Sequence, residues 1–218
     1  MNIHVNGMNL YYEVTGSGEP LIMVHGNGET HAIFNQAVEL LASHFTCYLI
    51  DSRGHGQSQQ VTELHYEDMA EDVYQLIKAL DLQNVTYYGF SDGGIIGLIL
   101  ASKHPKLLKR MIISGANTRP DAIKTWLSIG LNIVNKFRKS PLLELMLTEP
   151  HISREQLQAI ETPTLVLAGS KDLVVEADTR FIASSIPGAE LKILDGEGHD
   201  SYIVHKTKVA ELILEYAK

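Results

Sequence analysis

Residues 89–93 read Gly89-Phe90-Ser91-Asp92-Gly93, a G-x-S-x-G pattern. Such a pattern exposes a serine hydroxyl on a strained turn when a buried strand precedes it and a helix follows. Both flanks have that character: Val85 to Tyr88 reads as a strand, and Ile95 to Ala101 as a heavily apolar helix closed by His104-Pro105. Small residues at 89 and 93 let strand and helix pack closely around the turn. The plainer reading is a glycine-rich loop in which Ser91 only caps the helix.

A serine hydroxyl is a poor nucleophile until a neighbouring base takes its proton. Ten histidines are available. His199, in Asp195-Gly196-Glu197-Gly198-His199-Asp200, follows the last expected strand and precedes the final helix. Open α/β sheets place their sites in such loops, at the carboxyl edge, where Ser91 also falls. His4, His31, His44, His65 and His104 read as solvated. His25 and His55 lie in glycine-rich loops at the same edge, where structural hydrogen bonding is the simpler role. The acid that holds the imidazole in one tautomer is Asp172, after the strand at 164–167, with Asp195 and Asp200 as rivals better suited to turns or caps. An oxyanion needs two preorganised donors. The amides of Asp92 and of Asn27, in His25-Gly26-Asn27-Gly28, are the candidates, against a plain strand-to-helix turn.

The elements that must hold these residues alternate along the chain. Residues 2–6 and 9–15 form an opening hairpin around Gly7, and 21–24 and 45–50 form buried strands with a helix between them at Phe34–Leu41. A helix carrying Met69, Val73, Leu76, Ile77 and Leu80 follows, then the strand, elbow and helix around Ser91, then a strand at 108–113. Strands at 164–167 and 191–194 flank a helix near 176–186, and Val209, Leu212, Ile213 and Tyr216 mark a last helix. This alternation is that of a mostly parallel sheet flanked by helices.

Residues 117–159 interrupt it. A helix opening at Pro120 puts Ile123, Trp126, Leu127, Gly130, Ile133, Val134 and Phe137 on one face. A second helix starts at Ser140-Pro141, and a capping box of Ser153 with Gln156 starts a third. The expected organisation is a core of residues 1–116 and 160–218 with a helical lid of 117–159. Trp126 and Leu127 are expected to roof a substrate pocket, with packing on the core as the alternative.

The 218 residues carry a net charge of −8, with 44% hydrophobic and 20% charged side chains. A sizeable core can be buried. The charge argues against nucleic acid or an anionic membrane as partner. One cysteine, Cys47, in an apolar strand, cannot form an internal disulfide. Neither a signal peptide nor a run of membrane-spanning length is evident, so a cytoplasmic location is expected. Without metal-ligand spacing, a phosphate loop or a dinucleotide fingerprint, no metal or cofactor is expected.

The order His25-Gly26, Asp51-Ser52-Arg53-Gly54-His55-Gly56-Gln57-Ser58, Gly89-Phe90-Ser91-Asp92-Gly93-Gly94, Gly169-Ser170-Lys171-Asp172 and Gly198-His199 resembles the α/β-hydrolase superfamily. The likeness runs from about residue 9 to the end, apart from the lid, and implies that residues 51–58 form a structural turn beside the site. Residues 89–116 are similar to biphenyl hydrolase-like proteins, which cleave amino-acid esters, although the lid here is shorter. The resemblance implies a serine hydrolase acting on a small-molecule ester through Ser91, His199 and Asp172. Asp92, whose side chain can lie beside the acyl group because it follows the nucleophile, is placed to meet a positive group on the substrate, against the plainer reading that its carboxylate only complements the dipole at the start of its helix. A lactonase, thioesterase or perhydrolase with the same triad, or a non-catalytic ligand-binding member of the fold, would carry the same motifs.

Overall fold

The computed structural model describes residues 1–217. Eight strands form one sheet in the order β1-β2-β4-β3-β5-β6-β7-β8. β1 (Asn2–Val5) and β2 (Met8–Gly16) make the opening hairpin, and β2 pairs antiparallel with β4 (Phe45–Asp51). From β4 onward every pairing is parallel, through β3 (Glu19–Val24), β5 (Val85–Phe90), β6 (Leu108–Ser114), β7 (Thr164–Gly169) and β8 (Glu190–Leu194). A parallel sheet has to be covered on both faces, and here it is. α2 (Tyr66–Ala79), α3 (Asp92–Lys103) and α7 (Glu176–Ser185) pack on one face; α1 (Asn35–Leu41) and α8 (Lys208–Ala217) pack on the other.

β5 shows how sequence alternation serves two cores. Tyr87 points into the α2/α3 layer and Tyr88 into the α1/α8 layer, so both faces of a fully buried strand are filled. Each hydroxyl finds a partner, as burial demands: Tyr87 donates to the Gly93 carbonyl at 2.6 Å, and Tyr88 bonds Ser114 Oγ at 3.1 Å. Cys47 is fully buried in β4, and burial pushes its thiol up to about 12, which makes it inert.

Between β6 and β7 lie α4 (Thr125–Phe137), α5 (Pro141–Thr148) and α6 (Arg154–Gln158). Pro141 opens α5, and Ser153 with Gln156 makes a complete capping box on α6. The helix expected from Pro120 is different. Pro120–Ala122 is a single 3-10 turn, and Ile123 is extended, bridged antiparallel to Val174. The bond from the Lys124 amide to the Leu173 carbonyl (2.8 Å) extends that bridge. Strand-like pairing therefore displaces the first helical turn, and α4 begins only at Thr125.

Candidate active site

β5 delivers Ser91 to the carboxyl edge of the sheet in a backbone conformation that few residues adopt, with φ +53° and ψ −112°. A non-glycine residue held there stores strain that its surroundings must sustain. Three contacts do so: the Ser91 amide donates to the Ser114 carbonyl (2.8 Å), and the Ser91 carbonyl accepts from Gly94 and Ile95 at the start of α3. The glycines are steric requirements. A Cβ on Gly89 would lie 2.2 Å from the Gly93 carbonyl oxygen, and one on Gly93 would lie 2.1 Å from that of Val24. The Ser91 side chain makes no cap bond to the helix; it faces His199.

Ser91 Oγ lies 3.1 Å from His199 Nε2, and His199 Nδ1 lies 2.6 Å from Asp172 Oδ1. With Nδ1–H donated to the carboxylate, Nε2 is left to accept the serine proton, so the acid side selects the tautomer. The imidazole rests against the Phe90 ring at 5.0 Å and over Gly115, where a Cβ would lie 2.7 Å from the ring. Asp172 is held in turn by the amides of Val174 (3.0 Å) and Gly169 (3.4 Å). Burial alone would raise its carboxyl. The hydrogen bond and charge of His199, with the two amides, outweigh burial and keep it below the ordinary carboxylate value. Asp195 lies at Ser170 instead, 3.5 Å from its hydroxyl.

The loop after β3 abuts the elbow. The Gly93 amide donates to the His25 carbonyl, and Asn27 Nδ2 donates to Asp92 Oδ2 at 3.0 Å. The Gly26 amide is occupied by Glu29 Oε2 at 2.9 Å, whereas the amides of Asn27 and Asp92 donate to no acceptor among the described residues. Asp92 itself is buried, with Tyr66 donating to its other oxygen at 2.7 Å. Burial raises its pKa against the lowering effect of those two bonds.

A cavity of about 50 Å³ opens on Ser91, Asp92 and His199. Leu127 from α4 and Met146 from α5 line it, together with Tyr66, Asn117, Ile123, Glu149, Leu173 and Val174. Trp126, expected beside Leu127, is not among its walls and is 63% exposed. Consecutive residues on a helix point about 100° apart, so the register that turns Leu127 inward turns Trp126 out. Larger clefts exist, one of about 600 Å³ between Glu19, Phe45 and Lys109. That one lies at the amino ends of the strands, opposite Ser91, and has no nucleophile beside a base.

Tyr66 and Glu149 reach the site from α2 and from the end of α5, and no local pattern marks either. Leu173 and Val174 could have been found as the neighbours of Asp172. His31 and His65 are more engaged than solvated side chains would be, His65 pairing with Glu149 at 2.6 Å, whereas His25 and His55 take the structural role expected of them. His25 and His55 are buried and bond backbone groups. His31 is not solvated: its Nδ1 pairs with Asp51 at 2.7 Å. Asp51 also accepts from the Gln57 amide, which closes the turn of residues 51–58. No group of three His, Cys, Asp or Glu side chains among the described residues is arranged to hold a metal.

A mostly parallel sheet with a strained serine on a strand–helix elbow defines the α/β-hydrolase class. A sequence model of the alpha/beta hydrolase fold matches residues 19–145, and the chain belongs to that family. It is 28% identical to "Serine hydrolase BPHL" of Mus musculus, over 98% of this chain and 84% of that protein. It is 29% identical to "AB hydrolase superfamily protein YisY" of Bacillus subtilis, over 96% of both. Among solved structures, an esterase from Exiguobacterium antarcticum superposes with a TM-score of 0.86 at 22% identity, covering 99% of this chain and 98% of its own. That likeness is one of fold.

Proposed function

We propose that the protein is a carboxylic ester hydrolase working through an acyl-enzyme on Ser91. The observation that carries this is the hydrogen-bonded chain from Ser91 Oγ through His199 to Asp172, opening on a cavity. In this reading Ser91 attacks the ester carbonyl as His199 Nε2 takes its proton. Asp172 stabilises the imidazolium without taking the proton itself. The amides of Asn27 and Asp92 receive the negative charge that develops on the carbonyl oxygen. His199 then returns the proton to the departing alcohol, and water, deprotonated by the same histidine, releases the acid.

The cavity favours small acyl groups, because about 50 Å³ is well below the several hundred that drug-sized ligands occupy. Its charge favours a particular kind. Two carboxylates, Asp92 and Glu149, line it and no lysine or arginine does. Glu149 is taken up by His65 and the Tyr66 amide, which leaves Asp92, met only by the neutral Tyr66 and Asn27, as the carboxylate without a cationic partner. An anion beside a developing oxyanion opposes catalysis unless a substrate cation neutralises it, so esters of α-amino acids are the preferred substrates in this reading. The local likeness of residues 89–116 to amino-acid ester hydrolases supports the same choice.

The test is hydrolysis of p-nitrophenyl acetate by purified protein. Wild type should turn it over, and Ser91→Ala should lose about a thousandfold or more, since triad members act as a unit. Wild-type turnover in Ser91→Ala would overturn the proposal.

A further inference from the structure

Helix α4 presents its apolar side to solvent. Trp126, Ile129, Ile133, Val134 and Phe137 are between 48% and 88% exposed, and they are five of the seven large hydrophobic side chains so exposed among the described residues. Scattered single residues are ordinary on a surface; a contiguous stripe is not. The half-buried positions, Leu127, Ser128, Leu131 and Asn135, fall together on the opposite side. The inner side is already used, since Leu127 lines the cavity.

The charge around this stripe is one-sided too. Residues 122–143, bounded by Asp121 and Glu144, contain Lys124, Lys136, Arg138 and Lys139 and no acidic residue, in a chain of net charge −8, and Glu144 meets α4 at Asn135 (3.1 Å), on the side away from the stripe. Lys136 flanks the stripe, three positions after Ile133 and seven after Ile129. Lys136, Arg138 and Lys139 are exposed, and none pairs with a carboxylate among the described residues. The whole-chain charge argues against an anionic surface; the local charge argues for one.

We propose that α4 is a docking helix for an anionic lipid surface. It lies in the plane of the interface, with the Trp126–Phe137 face at the boundary between headgroups and acyl chains and the basic side chains at lipid phosphates. A helix with Trp, Phe and Ile on one side and Lys or Arg beside them has this physical preference. No helix of the described residues is long and apolar enough to cross a membrane, so the contact is peripheral. A second copy of the chain suits the face less well. A two-fold contact sets the same patch against itself, and residues 122–143 offer no carboxylate to meet the four opposing cations. Docking stands independently of the hydrolase reading.

Trp126 is the chain's one tryptophan, so its fluorescence reports this face directly. The protein is titrated with vesicles of phosphatidylserine and phosphatidylcholine, and with vesicles of phosphatidylcholine alone. The expected result is a blue shift and co-sedimentation with the anionic vesicles, both weakened by added salt. The Lys136→Gln/Arg138→Gln/Lys139→Gln variant should bind about tenfold more weakly or worse, and Phe137→Ser should also weaken binding, with the thermal unfolding of both showing that they remain folded. No shift and no co-sedimentation overturns the proposal. So does a blue shift that grows with protein concentration without lipid, accompanied by dimers in analytical ultracentrifugation.

Discussion

Asp92 is where one side chain decides between two readings. As first residue of α3 it sits at the positive end of the helix dipole, which is reason enough for a carboxylate. The structure adds that both its oxygens are engaged, by Tyr66 and Asn27, while it still lines the cavity. Each oxygen keeps a lone pair, so an α-amino group can still be received. Asp92→Asn is expected to lose selectivity for an α-amino ester over its uncharged isostere by about 1–3 kcal/mol, the worth of a charged hydrogen bond. Comparison of kcat/KM for the two esters measures this, and equal losses on both would reduce Asp92 to a structural role. The three residues proposed to do the chemistry were legible in the sequence because each follows a strand at one edge of the sheet, and topology brings such loops together. Tyr66 and Glu149 were not, since their approach depends on how α2 and α5 pack.

At the scale of elements, α4 carries the largest departure from expectation. The heptad-like spacing of Trp126, Ile133 and Phe137 identifies a helix and an apolar face, yet periodicity does not say which way that face turns. The bridge from Ile123 to Val174 sets the chain's entry into α4 and, with it, the rotation that points Leu127 at Ser91. Leu127→Ala should therefore enlarge the cavity and raise activity on butanoyl and hexanoyl esters relative to acetyl, whereas Trp126→Ala should leave that profile unchanged. Chain-length series of p-nitrophenyl esters provide the comparison. A profile that moves with Trp126 and not with Leu127 would mean that α4 sits in another register when substrate binds. The capping box at Ser153 and the proline that opens α5 were readable in advance because caps are local chemistry.

Across the whole molecule, acid sensitivity follows from His25. It is buried under the elbow, with Nδ1 bonded to the Gly26 carbonyl (2.7 Å) and Nε2 accepting from the Ser52 amide (3.1 Å). Desolvation lowers its pKa from the ordinary 6.5 to about 4. A depressed native pKa stabilises the fold fully above the unfolded value, and that contribution is lost as pH falls from 6.5 towards 4, because the unfolded chain binds the proton first. The loss should be about 3 kcal/mol. Denaturant unfolding across this range should show stability falling with pH, and His25→Asn should be less stable at neutral pH but flatter with acidification. An identical slope in the variant would place the acid sensitivity elsewhere. The sheet order was foreseeable in kind from the alternation of strands and helices. The pairing of β3 between β4 and β5 was not, because strand order is settled by packing over the whole sheet.

The central claim, that Ser91 is the nucleophile, is tested most directly by trapping it. After treatment with a fluorophosphonate, mass spectrometry of the intact protein and of its peptides should show one adduct. That adduct should map to Ser91, form more slowly when p-nitrophenyl acetate competes, and be absent from Ser91→Ala. An adduct on another residue, or esterase activity that survives complete labelling of Ser91, would contradict the account.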